Sequence, residues 1–222
     1  KNIKSVIHAF IQAAGRAEKA GFSGVQLHVA HGYLLSQFLS PFTNRRADEY
    51  GGNQENRTRI VTEIIRGIKQ KVTKKFIISA KMNGEDFLQG GLTLHQAVQS
   101  AKLMKYAGLD LVEISGGMAE SKLGAVRKNI DDISKEGYLR KHASEIKRQV
   151  NIPTASVGGY RSLPYIEDTL CSGDADFISL CRPFIREPDL ILKFKQKKTN
   201  KASCISCNRC FNPNGLACWH LS

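Results

Sequence analysis

One pattern constrains this chain more than any other. A short β-branched run is followed by a longer helical stretch, and the unit recurs five times. Val25, Leu27 and Val29 alternate along a first strand, and Phe76 to Met82, Asp110 to Ser115, Ile152 to Val157 and Asp176 to Leu180 supply four more. Ile60, Ile64, Ile65 and Ile68 recur at helical spacing between the first two. Thr93 to Ala107 opens on a capping-box pair, Thr93 and Gln96, and Gly108 closes it. A helix near Tyr138 to Gln149, another over Ser162 to Cys171 with Pro164 in its first turn, and a last one from near Pro188 complete the series. Such alternation gives parallel strands joined by right-handed crossovers.

The chain opens on a helix, with Val6, Phe10, Ala13 and Ala17 on one face and Gly21 as the stop. A leading helix with no strand before it reads as a pattern cut part-way. A (β/α)8 barrel takes eight strands and about 250 residues. A doubly wound sheet takes about five strands, but no G-x-G-x-x-G follows a strand and no G-x-x-x-x-G-K occurs. The predicted fold class is therefore α/β, an incomplete TIM (β/α)8 barrel with about five C-terminal units. Residues 1–200 would form the partial barrel and 201–222 a Cys-rich tail. Open sheet edges on such a chain favour association, including homo-oligomers.

Composition narrows the partners. The 41% hydrophobic content is that of an ordinary globular domain, and no apolar run is long enough for a membrane span. The net charge of +13 is spread along the chain, with one dense run, Lys193 to Lys201. That run carries five Lys and a single Phe, with no aromatic interleaving of the kind that stacks bases, so a solvated surface is preferred to nucleic-acid binding. A basic surface also suits an anionic phosphorylated cofactor. Four of the six Cys fall in the last 19 residues. A clustered tail on a cysteine-poor body points to a reducing, cytoplasmic setting and a metal site rather than a disulfide framework.

In a parallel α/β protein the chemistry collects at the C-terminal ends of strands. The first strand ends in His28-Val29-Ala30-His31-Gly32-Tyr33. Two imidazoles three residues apart can converge on one oxygen and polarise a carbonyl or nitro group. Tyr33 adds a hydroxyl able to pass a proton. The second strand ends at Lys81, the fourth at Gly158, Gly159 and Arg161, and the fifth at Cys181 and Arg182. Glycines let backbone N–H groups approach a phosphate, and arginines add charge. The third strand ends in a Gly116-Gly117 turn with no assigned role.

The run His28 to Leu35, with Phe38-Leu39-Ser40-Pro41, Thr43-Asn44-Arg45-Arg46, Asp48-Glu49-Tyr50-Gly51-Gly52 and Glu55-Asn56-Arg57, resembles the signature of the old yellow enzyme family. These are FMN-dependent ene-reductases and their relatives, dienoyl-CoA reductases included, and the resemblance extends over nearly the whole chain. It implies that NAD(P)H reduces FMN and that flavin N5 passes hydride to the β carbon of an enone-type substrate. His28 and His31 would hold the substrate oxygen, Tyr33 would protonate the α carbon, and Lys81 would face the flavin pyrimidine edge. Gly158, Gly159, Arg161, Cys181 and Arg182 would hold the phosphate, although the family usually has a small residue at Cys181. Residues 45 to 57 would fix a loop. Some relatives carry a four-iron cluster beyond the last helix, which Cys204, Cys207, Cys210 and Cys218 could hold. The family's third Cys normally lies one residue later than Cys210. The family's first three β/α units are not in this sequence, so the resemblance implies a truncated chain that binds FMN weakly by itself.

Two other readings remain open at this level. One is a non-catalytic barrel whose Cys tail binds zinc and nucleic acid. The other is a phosphate-binding barrel aldolase or isomerase with Lys81 as its Schiff-base amine, which leaves His28 and His31 without a role.

Overall fold

The computed structural model describes residues 2–212 and 215–219. Five parallel strands lie in sequential order: β1 (Gly24–Val29), β2 (Ile77–Asn83), β3 (Leu111–Ser115), β4 (Thr154–Val157) and β5 (Phe177–Ser179). The connecting helices are α3 (Gln54–Lys71), α4 (Leu94–Tyr106), α5 (Arg140–Val150) and α6 (Leu163–Cys171), with α1 (Ile3–Lys19) leading. This is a parallel arc of a (β/α)8 barrel, as the alternation predicts.

The sheet has one helix-covered face. Leu27, Val29, Ile78, Ala80, Met82, Val112 and Ile114 share a core with Ile60, Ile64, Ile65 and Ile68 of α3, Ala97 and Met104 of α4, and Ala143 and Ile146 of α5. Register fixes the other face. His28 pairs with Lys81 and Lys81 with Glu113, so these three form one row across β1, β2 and β3, pointing away from the helices. The next row holds Asn83 opposite Ser115.

Two aspartates pin the register at the opposite end of the strands. Asp110 accepts the Ile78 N–H at 2.7 Å while its own N–H donates to the Ile78 carbonyl. Asp176 repeats the device on Thr154 at 2.9 Å. Both residues were read as strand starts; each instead lies just outside its strand and caps the neighbouring one.

The capping box of α4 forms as expected, with Thr93 and Gln96 exchanging side-chain and backbone bonds. The first helix differs in its buried face. Ile7 and Ala14 are buried, with Ile3, Phe10 and Ile11 packed against the core, whereas Ala13 is exposed. The stripe is rotated because α1 packs on α3 at Gly67, whose missing side chain admits Ile11. Three short helices escape the periodicity. They are α2 (Leu34–Leu39), α7 (Arg182–Arg186) and α8 (Leu190–Lys195), of which only the last was expected as a helix near Pro188. Five or six residues are too few for a periodic signal. The tail closes on a two-residue ladder of β6 (Phe211–Asn212) with β7 (Gly215–Leu216). No helix among the described residues is long and apolar enough to cross a membrane.

Candidate active site

The turn after β1 builds the first part of the site. His31 and Gly32 adopt φ of 63° and 77°, which reverses the chain within two residues. The strained His31 backbone is held: its N–H donates to Asn83 Oδ1 at 3.1 Å. Asn83 is itself fixed, donating to Asp86 Oδ1 at 2.8 Å and to the Gly117 carbonyl. The ring of His31 meets Ser115, with Nε2 and Oγ 2.6 Å apart. The reversal also gathers the three residues singled out from the sequence. His28 and His31 lie 5.5 Å apart, centroid to centroid, at a near-perpendicular 78°, and His28 lies 4.9 Å from the exposed Tyr33 ring.

Burial, then the charge of Lys81, lowers the pKa of both imidazoles; for His31, with a further push from His28, it falls to about 4. Glu113 opposes the shift in both. At neutral pH the rings are therefore uncharged, and each carries one N–H donor.

Lys81 projects from the same row, and its Nζ donates to Glu113 Oε1 at 2.5 Å. The second oxygen of Glu113 accepts from Gln26 Nε2 at 3.1 Å. The cation is thus anchored from two neighbouring strands.

A cavity of about 170 Å³ joins this end of the sheet to the last two strand ends. His31, Lys81 and Ser115 line it together with Gly159, Arg161, Cys181 and Arg182. Gly158 is not among the lining residues; it lies at φ +142°, and a Cβ there would press on the Leu139 nitrogen at 3.1 Å. Gly159, at φ +75°, would crowd Ile130 and Tyr138.

The two arginines read as phosphate ligands have other commitments. Arg161 is 7% exposed and donates to the Ile130 and Ala202 carbonyls. Arg182 Nη1 donates to the Arg127 carbonyl at 2.8 Å and to Asn208 Oδ1 at 2.6 Å. Their guanidinium groups tie the 126–130 loop and the Cys tail to the strand ends. Both arginines also line the cavity.

Glu136, which sequence reasoning missed, is the keystone of the β4 turn. It is 2% exposed and accepts from the Arg161 and Ser162 N–H groups at 2.7 and 2.8 Å and from Ser162 Oγ at 2.7 Å. The 45–57 stretch is a loop-fixing network, as expected. Asn44 Nδ2 donates to the Phe38 and Tyr50 carbonyls, and buried Arg57 to those of Leu39 and Gly52.

Cys204, Cys207, Cys210 and Cys218 all line a second, small cavity beside Arg182 and Arg186. Arg186 Nη1 donates to Cys218 Sγ at 3.4 Å, and burial pushes the Cys210 thiol up. Among the described residues no three His, Cys, Asp or Glu converge as tightly as a single metal ion requires.

The profile of the family described as "NADH:flavin oxidoreductase / NADH oxidase family" matches residues 1–201. An NADH oxidase of Thermoanaerobacter brockii is 41% identical over 207 residues, covering 93% of this chain and 31% of that protein. An NADPH dehydrogenase of Clostridium acetobutylicum is 37% identical, over 88% of this chain and 56% of its own. The chain thus spans about half or less of the length of these relatives. Among solved structures, a 2-naphthoyl-CoA reductase in complex with 2-naphthoyl-CoA superposes with a TM-score of 0.87 at 30% identity, covering 93% of this chain and 31% of that one. An old yellow enzyme homologue from Zymomonas mobilis gives 0.72 at 28% identity, covering 96% and 57%.

Proposed function

We propose, from the premise that this chain belongs to the NADH:flavin oxidoreductase / NADH oxidase family, that the protein is an FMN-dependent, NAD(P)H-driven reductase of activated C=C bonds in α,β-unsaturated carbonyl compounds. The observation that carries the reading is the gathering of neutral His28 and His31, Tyr33 and Lys81 at one end of the sheet.

FMN, when bound, supplies the hydride chemistry. The residues present fit it. Gly159, with no side chain, lines the cavity with its backbone, and Lys81 sets a fixed cation in the same cavity. Backbone N–H groups near Gly159, Cys181 and Arg182 would hold its phosphate, and Lys81 its pyrimidine edge.

The chain's own residues do the rest. His28 and His31 donate to the substrate oxygen, drawing electrons from the conjugated double bond and lowering the barrier to addition at the β carbon. Uncharged rings suit this role, because they donate without paying to bury a charge. Tyr33, beside His28, delivers the hydroxyl proton to the α carbon. The relative solved with 2-naphthoyl-CoA holds a thioester whose carbonyl is conjugated to a ring, the kind of oxygen two such donors recognise.

The tail, 201–222, is read as an element separate from the 1–200 barrel, and among its described residues Asn208 and Cys218 accept from Arg182 and Arg186. Its four thiols line one small cavity, and the group they are proposed to hold there is the four-iron cluster that the family resemblance implies. Such a cluster and the free thiols suit a reducing, cytoplasmic setting. The aldolase reading loses ground because Lys81 is held in an ion pair with Glu113 rather than standing as a free amine.

The test is spectroscopic. Intact protein incubated with FMN should retain it through gel filtration. Anaerobic NADH or NADPH should then bleach the flavin band, and 2-cyclohexenone should restore it. Failure to retain flavin, or a bleached band indifferent to the enone, would overturn the reading.

A further inference from the structure

The two ring nitrogens of His31 have different surroundings. Nε2 lies 2.6 Å from Ser115 Oγ. Nδ1 has no hydrogen-bond partner among the described residues, yet it is not sealed in, and His31 lines the cavity at the strand ends. Nδ1 is therefore the nitrogen left for a ligand.

Ser115 decides which nitrogen carries the proton. It is the last residue of β3 and 2% exposed. If Nε2 carried the proton, it would donate to Oγ, and the serine's own hydroxyl proton would need a second acceptor. Among the described residues Oγ has no other partner. Ser115 lines the cavity, so the one acceptor left to it would be a molecule held there, and without one a nearly buried hydroxyl proton is costly. If the serine donates instead, both groups are satisfied, and the imidazole proton sits on Nδ1. The arrangement is rigid at both ends, since Asn83, opposite Ser115 in the strand register, holds the His31 backbone N–H.

We propose that Ser115 is a positioning residue whose hydroxyl donates to His31 Nε2 and so fixes the Nδ1–H tautomer, the form that offers a proton to an oxygen in the cavity. The tautomer stands on this geometry alone. Its use on a substrate oxygen rests on the function proposed above.

The test separates the two. The 222-residue chain, labelled with 15N-histidine, is examined near neutral pH by long-range 1H–15N correlation, with His31 assigned from a His31→Gln variant. The expected wild-type pattern is a pyrrole-type Nδ1 and a pyridine-type Nε2. Ser115→Ala should shift His31 towards the Nε2–H form that free imidazole side chains favour, while Ser115→Thr should restore the wild-type pattern. The proposal is overturned by an Nε2–H tautomer in the wild type. It is also overturned by an unchanged tautomer in Ser115→Ala with a native amide spectrum; should that variant not fold, Ser115→Cys, a weaker donor, takes its place.

The second arm uses the intact flavin-loaded protein and 2-cyclohexenone. Ser115→Ala should lower kcat/KM about tenfold, the equivalent of one lost hydrogen bond. If the tautomer shifts as expected while kcat/KM does not, the role of Ser115 stands and the assignment of His31 to the substrate oxygen falls.

Discussion

Replacing Glu136 with Ala should be among the most damaging single changes outside the hydrophobic core. The carboxylate is 2% exposed and takes three hydrogen bonds of 2.7 to 2.8 Å from Arg161 and Ser162. Bonds to a charged group contribute about 1.5–3 kcal/mol each. Releasing a buried carboxylate from its desolvated site offsets part of that sum. A net loss of about 3–5 kcal/mol follows for Glu136→Ala, which strands two N–H groups and a hydroxyl. For a chain of this length each kcal/mol lowers Tm by about 2–4 °C, so the melt should fall by about 6–20 °C. Glu136→Gln keeps one acceptor and should fall between. Thermal unfolding followed by circular dichroism measures both. An Ala variant melting within about 2 °C of wild type would show that Glu136 does not hold the turn, and the account of the β4 strand end would fail.

Further outcomes follow from the same network. Glu113→Gln removes the carboxylate that anchors Lys81 at 2.5 Å and should cost about 2–3 kcal/mol in urea unfolding, with Glu113→Asp milder; no change would mean that the pair is idle. The His31 pKa, lowered in the fold to about 4 from an ordinary 6.5, sets a pH dependence. Its neutral form is favoured by folding, so this contribution is fully present above about pH 6.5 and is lost as pH falls towards 4. His31→Gln should therefore flatten the acid limb of the stability profile; an unchanged limb contradicts the shift. Anaerobic reconstitution with iron and sulfide should give cluster absorption that disappears in Cys204→Ala and in Cys218→Ala. A colourless reconstituted wild type would remove the cluster from the account.

The fold was legible where a residue's role is local. Capping at Thr93 and Gln96 and the isoleucine stripe of α3 depend on neighbours within one or two turns, and both appear as expected. The His28, His31 and Tyr33 group was legible for the same reason, since one turn brings the three together. What stayed hidden depends on partners far along the chain. Glu136 bonds to residues 25 and 26 positions away, and nothing near it in sequence marks it as buried. Arg182 lines the cavity, as its place at a strand end suggests, but its Nη1 also reaches 26 residues on to Asn208, a tie that the local sequence does not announce. Glu113 and Ser115 could have been found: they alternate with Val112 and Ile114, which puts them on the face of Lys81. The first helix shows the limit of periodicity, because several faces of a short-residue helix satisfy the spacing, and the Gly67 contact on α3 decides among them.

The central claim is a division of labour: His28, His31 and Tyr33 act on the electron acceptor and not on the reductant. Stopped-flow spectroscopy of the intact flavin-loaded protein separates the two half-reactions. In Tyr33→Phe, reoxidation by 2-cyclohexenone should slow by about 100-fold or more, the usual contribution of a positioned proton donor, while reduction by the nicotinamide stays within about twofold of wild type. Equal losses in both half-reactions, or no loss in either, would contradict the assignment of the site.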